Sequence, residues 1–180
     1  MIGKETAVLM AAYNEWMNAR LYEAAAKLSA EDLARDRGAF FGSILGTLNH
    51  LVVGDTIWLK RFAAHPSAPA ALEPVRALPQ PVALNEVLFT DLGGLTARRK
   101  MIDAAMKAWA AGLTPADLDH VLHYANTKGI RSQKRMSSLV THFFNHQTHH
   151  RGQCTTLLTQ AGVDVGLTDL LSLIPNEAEA

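Results

Sequence analysis

Four of the eight histidines in this 180-residue chain fall between positions 142 and 150, while cysteine occurs once, at Cys154. On a helix, at about 100° per residue, Leu139, Phe143, Cys154, Leu157, Leu158 and Ala161 form one apolar stripe. With His142 set at zero, the stripe spans about 60° to about 160°. His150 then falls near about 80°, inside the stripe, and His146 near about 40°, on its edge. His142 at about 0° and His149 at about −20° lie further out. His146 and His150 are four residues apart, so their Cβ atoms stand about 5–6 Å from one another on one face. Two ring nitrogens at that spacing can meet a single cation at about 2.0–2.1 Å each, as in metal-binding H-E-x-x-H helices. Here Gln147, Thr148 and His149 intervene. The glutamate that serves those proteases as general base is missing, which disfavours a zincin-type protease. The competing reading makes His146 and His150 core histidines with hydrogen-bond partners, because each buried ring costs desolvation unless paired. A third ligand from another element decides between the two.

His50 is the best candidate for that ligand. It lies midway along the most apolar stretch of the chain, with Gly46 and Gly54 four residues before and after it and Ser43 on the same ridge. Small residues there let a neighbouring helix or a ligand approach closely. Periodicity alone leaves the direction of His50 open: the strongest apolar arc of that stretch is centred about 140° away, near Asp55. Asp55 reads as a buried carboxylate held by an internal salt bridge or hydrogen bond, with support of a metal ligand as the alternative. Cys154 reads as a small buried hydrophobe, or as a soft fourth ligand. Gln153, one turn from His149 and near His146 in angle, is placed to orient a ligand imidazole or a bound water. Arg151 projects away from the stripe, toward a salt bridge or helix packing. His65, His120 and His123 read as exposed or structural, and Tyr13, Trp16, Trp58 and Trp109 as core aromatics.

The elements that must position these residues are delimited by proline, which cannot sit inside a helix. Five of the seven prolines (Pro66, Pro69, Pro74, Pro79, Pro81) fall in one stretch, and the segments between are rich in strong helix formers. Four main helices are expected: Glu5 to Leu28, Gly42 to Ala64, Leu84 to Ala111 and Ser137 to Gln160. A short helical turn restarts at Ser29 and Asp32. In the third helix Lys100, Asp103 and Lys107 are expected to face water. The fourth ends at Gly162, suited to a left-handed cap, and a short turn follows at Asp169 to Ser172. The connections after the second and third helices are long. Residues 65–82 read as a Pro-rich surface linker, and the stretch from Leu113 to Arg135, with its turn signal Asn126-Thr127-Lys128-Gly129, as extended structure or a small hairpin. Residues 175–180 read as a flexible tail. The class is all-α.

At 19.6 kDa the chain is the size of one domain, 1–180. Seventeen basic residues balance seventeen acidic ones, the pI is about 7.1, and no basic block occurs. That excludes the electrostatic footprint of a nucleic-acid binder. No apolar run approaches the roughly 18 residues of a membrane helix. A lone cysteine and the absence of a signal-peptide pattern at Met1-Ile2-Gly3-Lys4-Glu5-Thr6 point to the cytoplasm.

The run Leu48-Asn49-His50-Leu51 through Asp55 to Ile57-Trp58-Leu59, followed by His146-Gln147-Thr148-His149-His150-Arg151-Gly152-Gln153, resembles the DinB-like family of metal-binding proteins. The likeness extends over nearly the whole chain, through Trp16-Met17-Asn18-Ala19-Arg20-Leu21 and Gly162-Val163-Asp164-Val165-Gly166. It implies a four-helix bundle whose three histidines bind a divalent metal at one end, here His50, His146 and His150, and a homodimer. Some relatives are similar to thiol-dependent transferases or isomerases, while the founding branch is named for induction by DNA damage. Three imidazoles leave a coordination position open, as catalytic zinc sites do. The expectation is a metal-dependent hydrolase or thiol transferase acting on a small molecule, with a low-molecular-weight thiol as the candidate partner. Zinc is the default ion, and imidazole also suits nickel, iron and copper. No side chain is assigned as a catalytic base. The alternatives are a non-catalytic metal-binding stress protein stabilised by its ion, and a helical interaction module whose histidines merely pack.

Overall fold

In the computed structural model, which describes residues 2–177, the chain is mostly helical, and four of the seven α-helices among the described residues begin where a short polar side chain satisfies a free backbone N–H group. Helix α1 (Lys4–Ala25) is followed by α2 (Ala30–Ala34), where the Ser29 hydroxyl accepts from the Asp32 N–H. Ser43 caps α3 (Ile44–Ala63) in the same way, accepting from Gly46. A 3₁₀ turn (Ala70–Leu72) and α4 (Glu73–Arg76) precede α5 (Leu92–Gly112), capped by Asp91. Thr114 and Asp117 form a reciprocal capping box on α6 (Pro115–Asp119). Strands β1 (Val121–Ala125) and β2 (Arg131–Arg135) pair antiparallel and lead into α7 (Met136–Gln160). Gly162, at φ 80°, sits in the left-handed region beyond it, and a 3₁₀ turn covers Leu170–Leu173.

The four long helices share their contacts in a closed pattern. Helix α1 packs on α5 and α7, and α3 packs on the same two. Phe62 of α3 stacks on Trp109 of α5 at 5.0 Å and meets Phe143 of α7 edge-on at 5.6 Å, so one aromatic cluster ties three helices together. Phe62, Phe143, Leu21, Leu48, Ile102 and Met106 are completely enclosed. No helix among the described residues is long and apolar enough to cross a membrane.

Several boundaries differ from the sequence expectation for physical reasons. The third long helix starts at Leu92, not Leu84, because the preceding residues are claimed by α3. Asn49 accepts the Leu88 and Phe89 N–H groups at 2.9 and 3.0 Å and donates to the Phe89 carbonyl at 3.0 Å. The first helix ends at Ala25, short of Leu28. The Pro-rich stretch carries more structure than its prolines suggest: Leu72 and Val75 are fully buried, and Lys60 donates to the Arg76 and Leu78 carbonyls. The hairpin forms where the Asn126–Gly129 turn signal stands, with Gly129 at φ 77°. Trp16 and Trp58 are half-buried, whereas Tyr13 and Trp109 lie in the core. Residues 178–180 of the expected tail lie outside the described residues.

Asp103 does not face water. It is 4% exposed and pairs with Arg99 at 2.9 Å, while Arg99 also meets Asp55 at 2.5 Å. Asn18 donates to Asp103 from α1 at 3.0 Å, so this charged cluster joins α1, α3 and α5. Asp55 thus has the internal salt bridge expected of it, and complete burial still pushes its pKa up to about 6. Because Arg99 neutralises two buried carboxylates, replacing it with leucine is expected to cost about 3–5 kcal/mol of stability. Urea denaturation measures this, and a loss below about 1 kcal/mol contradicts the role given to Arg99.

Candidate metal centre

Gly46 and Gly54 flank His50 on α3, and each admits a different neighbour. A Cβ on Gly54 would stand 2.9 Å from Cε1 of His146, so the missing side chain makes room for the α7 imidazole. A Cβ on Gly46 would stand 2.1 Å from the Phe41 carbonyl oxygen, so that glycine admits the turn before α3. This turn is a tight bend between Gly38 (φ 66°) and Gly42 (φ 72°), and it lays the Phe41 ring on His50 at 3.7 Å, nearly parallel. Phe41 also meets His150 edge-on at 5.5 Å. His50 is therefore 3% exposed, which settles the direction that helical periodicity left open.

Ring nitrogens of His50, His146 and His150 all lie within 4.8 Å of one another. Nε2 of His50 and Nε2 of His146 are 3.2 Å apart, close to the edge of about 3.3 Å expected when two nitrogens share a tetrahedral zinc. The orientation of two rings is fixed from behind. Nδ1–H of His50 donates to the Leu84 carbonyl at 2.7 Å, and Nδ1–H of His150 donates to Oε1 of Gln153 at 2.8 Å. Both Nε2 atoms then carry the lone pair, the tautomer that metal-ligating histidines use, and that of His50 stands at hydrogen-bond distance from Nε2 of His146. Nδ1 of His146 is buried without a hydrogen-bond partner. Burial is the main cause that drives the pKa of His50 down to about 4 and that of His146 to about 3, with neighbouring imidazoles adding to the shift. His150 shifts the same way. The cluster is neutral at pH 7 and rich in lone pairs.

The other singled-out residues fall around this cluster. His142 and His149 are exposed, as their helical angles predict, with rings 6.1 Å from His146 and 4.8 Å from His150. Gln153 does orient an imidazole, that of His150, and its amide nitrogen also reaches Nε2 of His149 at 3.3 Å. Cys154 is wholly buried and outside the histidine group, with burial pushing its thiol up to about 12. Arg151 is 2% exposed, contrary to its outward angle: it donates to Asn14 and covers the Tyr13 ring at 5.1 Å, a helix-packing role without a salt bridge. His65 is buried, with Nδ1 accepting the Ser67 N–H at 3.1 Å, and its ring lies 4.4 Å from that of His120. His123 is exposed. Sequence reasoning missed Phe41 and the Leu84 carbonyl. The glycines bracketing Phe40-Phe41 were the only available signal for the first, and a backbone oxygen leaves none for the second.

The chain is thus a helical protein in which three imidazoles from two helices stand close enough together that they could hold a metal ion. The DinB family model matches residues 1–179, and the chain belongs to the DinB family. Protein DinB of Bacillus subtilis (strain 168) is 26% identical to it over 157 residues, covering 87% of each chain. No solved structure is a significant match.

Two predictions follow from this packing. In Gly54→Ala the new methyl displaces the His146 ring, so metal affinity is expected to fall about tenfold or more while the circular dichroism spectrum is retained. Unchanged affinity in a metal titration contradicts the role of Gly54. The second concerns protons. Unfolded histidines titrate near about 6.5, above the folded values of about 4 and about 3, so the unfolded state binds more protons in between. The metal-free protein should therefore lose stability as pH falls from about 6.5 toward about 4. Thermal melts across that range are expected to show a falling Tm, with a shallower slope in the His50→Asn, His146→Asn double variant; equal slopes contradict the assignment.

Proposed function

We propose that His50, His146 and His150 hold one divalent metal ion and that the protein is a metal-dependent enzyme, a hydrolase or thiol transferase, acting on a small molecule. The observation that carries this reading is the pair of Nδ1–H donations, to Leu84 and Gln153, that leave two Nε2 atoms as acceptors in a group whose ligand atoms all lie within 4.8 Å of one another. A core histidine has one N–H and one lone pair to satisfy. Three that gather with lone pairs facing inward cost desolvation that hydrogen bonds among themselves do not return, and a cation offsets it. When bound, such an ion acts as a Lewis acid and lowers the pKa of a coordinated water or thiol. Zinc is the default, with nickel, iron and copper compatible with imidazole.

The chain's own residues perform the remaining tasks. Leu84 and Gln153 hold the tautomers, Phe41 shields His50 from water, and Gly54 sets the distance between α3 and α7. No carboxylate joins the three histidines among the described residues. We assign no side chain as general base. On the family resemblance, we also read the four long helices as a bundle and the protein as a homodimer; the balanced charge, the lack of a long apolar run and the lone cysteine support a cytoplasmic protein that binds neither nucleic acid nor membranes.

The test is elemental analysis of protein purified without a metal-affinity column. About one equivalent per chain is expected, falling below about a tenth in His150→Ala. Wild-type protein that neither carries nor takes up metal overturns the proposal. The alternative, an ion that only stabilises the helices, requires His150→Ala to melt well below the wild type and a metal-replete screen with low-molecular-weight thiols to show no turnover. Turnover lost in His150→Ala at unchanged Tm favours the enzyme.

A further inference from the structure

The ridge of α3 that carries His50 and Gly54 continues, at helical spacing, through Trp58 to Arg61. Beyond the histidines it reaches, at Arg61, the wall of an open cavity of about 540 Å³, flanked by residues 80–82 on one side and the β1–β2 hairpin on the other. The loop wall is continuous as well: Leu84 holds His50, and Pro81 and Val82 line the cavity. Trp58 bridges the two regions, with its ring 5.1 Å from that of His142, which lies 6.1 Å from His146. Gly54 and Arg61 are about 10 Å apart along the helix axis.

The charge of this cavity is one-sided. Its lining includes Lys60, Arg61 and His123 and no carboxylate. Lys60 is committed to the Arg76 and Leu78 carbonyls, and Glu86 of the neighbouring loop accepts the Val82 N–H at 2.7 Å. Arg61 is half-buried, held 4.6 Å from the Trp58 ring and 4.9 Å from that of Tyr124, and donates to the Ala125 carbonyl at 3.1 Å. It forms no ion pair with any described carboxylate. A guanidinium offers five N–H donors in a planar fork that fits an oxyanion edge. Fixed between aromatic faces and partly out of water, this one is organised before any ligand arrives. With the Lys60 donors taken up by backbone carbonyls, the parallel N–H groups of one guanidinium fork match the two oxygens of a carboxylate edge.

We propose that this cavity binds a carboxylate on the small-molecule substrate, with Arg61 as its receptor, while the other end of the substrate reaches the three histidines. The second half of that statement rests on the proposed metal site; the recognition of the carboxylate by Arg61 does not. A molecule that fits both ends separates its reactive group from its carboxylate by about 10 Å, the span from Gly54 to Arg61.

Calorimetry with 8-mercaptooctanoate and its primary amide tests this, on metal-loaded and metal-free protein. The acid is expected to bind the wild type about tenfold or more tightly than the amide, as a charge-assisted pair in a partly desolvated site provides. Arg61→Gln should bring the two affinities together and Arg61→Lys should retain part of the difference, with circular dichroism verifying that both variants fold. Equal binding of acid and amide by the wild type, or an undiminished preference in Arg61→Gln, overturns the proposal. Displacement of the acid by inorganic phosphate at lower concentration than by acetate overturns the choice of a carboxylate. Removing the metal should weaken both ligands and keep their ratio. If removal changes neither affinity, the metal reading fails and the Arg61 site stands; if metal is held but the ratio is one, the reverse is true.

Discussion

The close approach of α3 and α7 at Gly54 is the constraint on which the site depends. Where the His146 ring meets α3, there is no room for a Cβ, and the Nε2 atoms of His50 and His146 are 3.2 Å apart as a direct result. Moving the helices apart by the width of a methyl group would separate two nitrogens whose tetrahedral spacing around one ion leaves only tenths of an ångström to spare. The same glycine spacing acts on the other side of His50, where Gly46 lets the Phe41 backbone in and Phe41 then seals the imidazole. Two glycines four residues either side of a histidine thus bring a ligand from one direction and an apolar cover from the other.

Such an approach holds only if α3 is anchored from behind, and its opposite face supplies the anchor. Asp55 lies about 140° around the helix from His50 and meets Arg99, which also binds Asp103, itself held by Asn18. Helix α3 is therefore fixed to α5 and α1 by buried charge on one side while presenting neutral imidazole on the other. Buried ion pairs add little net stability compared with apolar packing, but they specify register, because any slip leaves an unpaired charge in the core. A site whose tolerance is below an ångström gains from that specificity more than from added stability.

What the sequence disclosed depended on whether a signal was local. The angle calculation separated His146 and His150 from His142 and His149 correctly, since a regular helix fixes relative direction. It left His50 undecided because α3 is buried nearly all round, and a helix without a polar face carries no directional information. Arg151 was misdirected for a related reason: its guanidinium is buried by Asn14 and Tyr13, on another helix that no local pattern reveals. Asp103 seemed to face water on the same assumption that charge means surface, when it pairs with Arg99 one turn away and accepts from Asn18, 85 residues away in sequence. The start of α5 was placed too early because Asn49, forty residues upstream, takes the backbone groups that a longer helix would have used.

Overall neutrality also concealed a local asymmetry. Equal numbers of acidic and basic residues argue against an extended polyanion surface. Yet the carboxylates buried most deeply, Asp55 and Asp103, are spent on Arg99 in the interior, while Arg61 remains beside the histidines with aromatic rings in place of a counter-charge. Cation–π contact offsets part of its desolvation but leaves most of its donors open. One guanidinium fixed in a cavity can satisfy one small anion and little more. The chain's balance of charge is therefore compatible with the small carboxylate proposed for Arg61, since a neutral surface and one locally uncompensated guanidinium coexist in it.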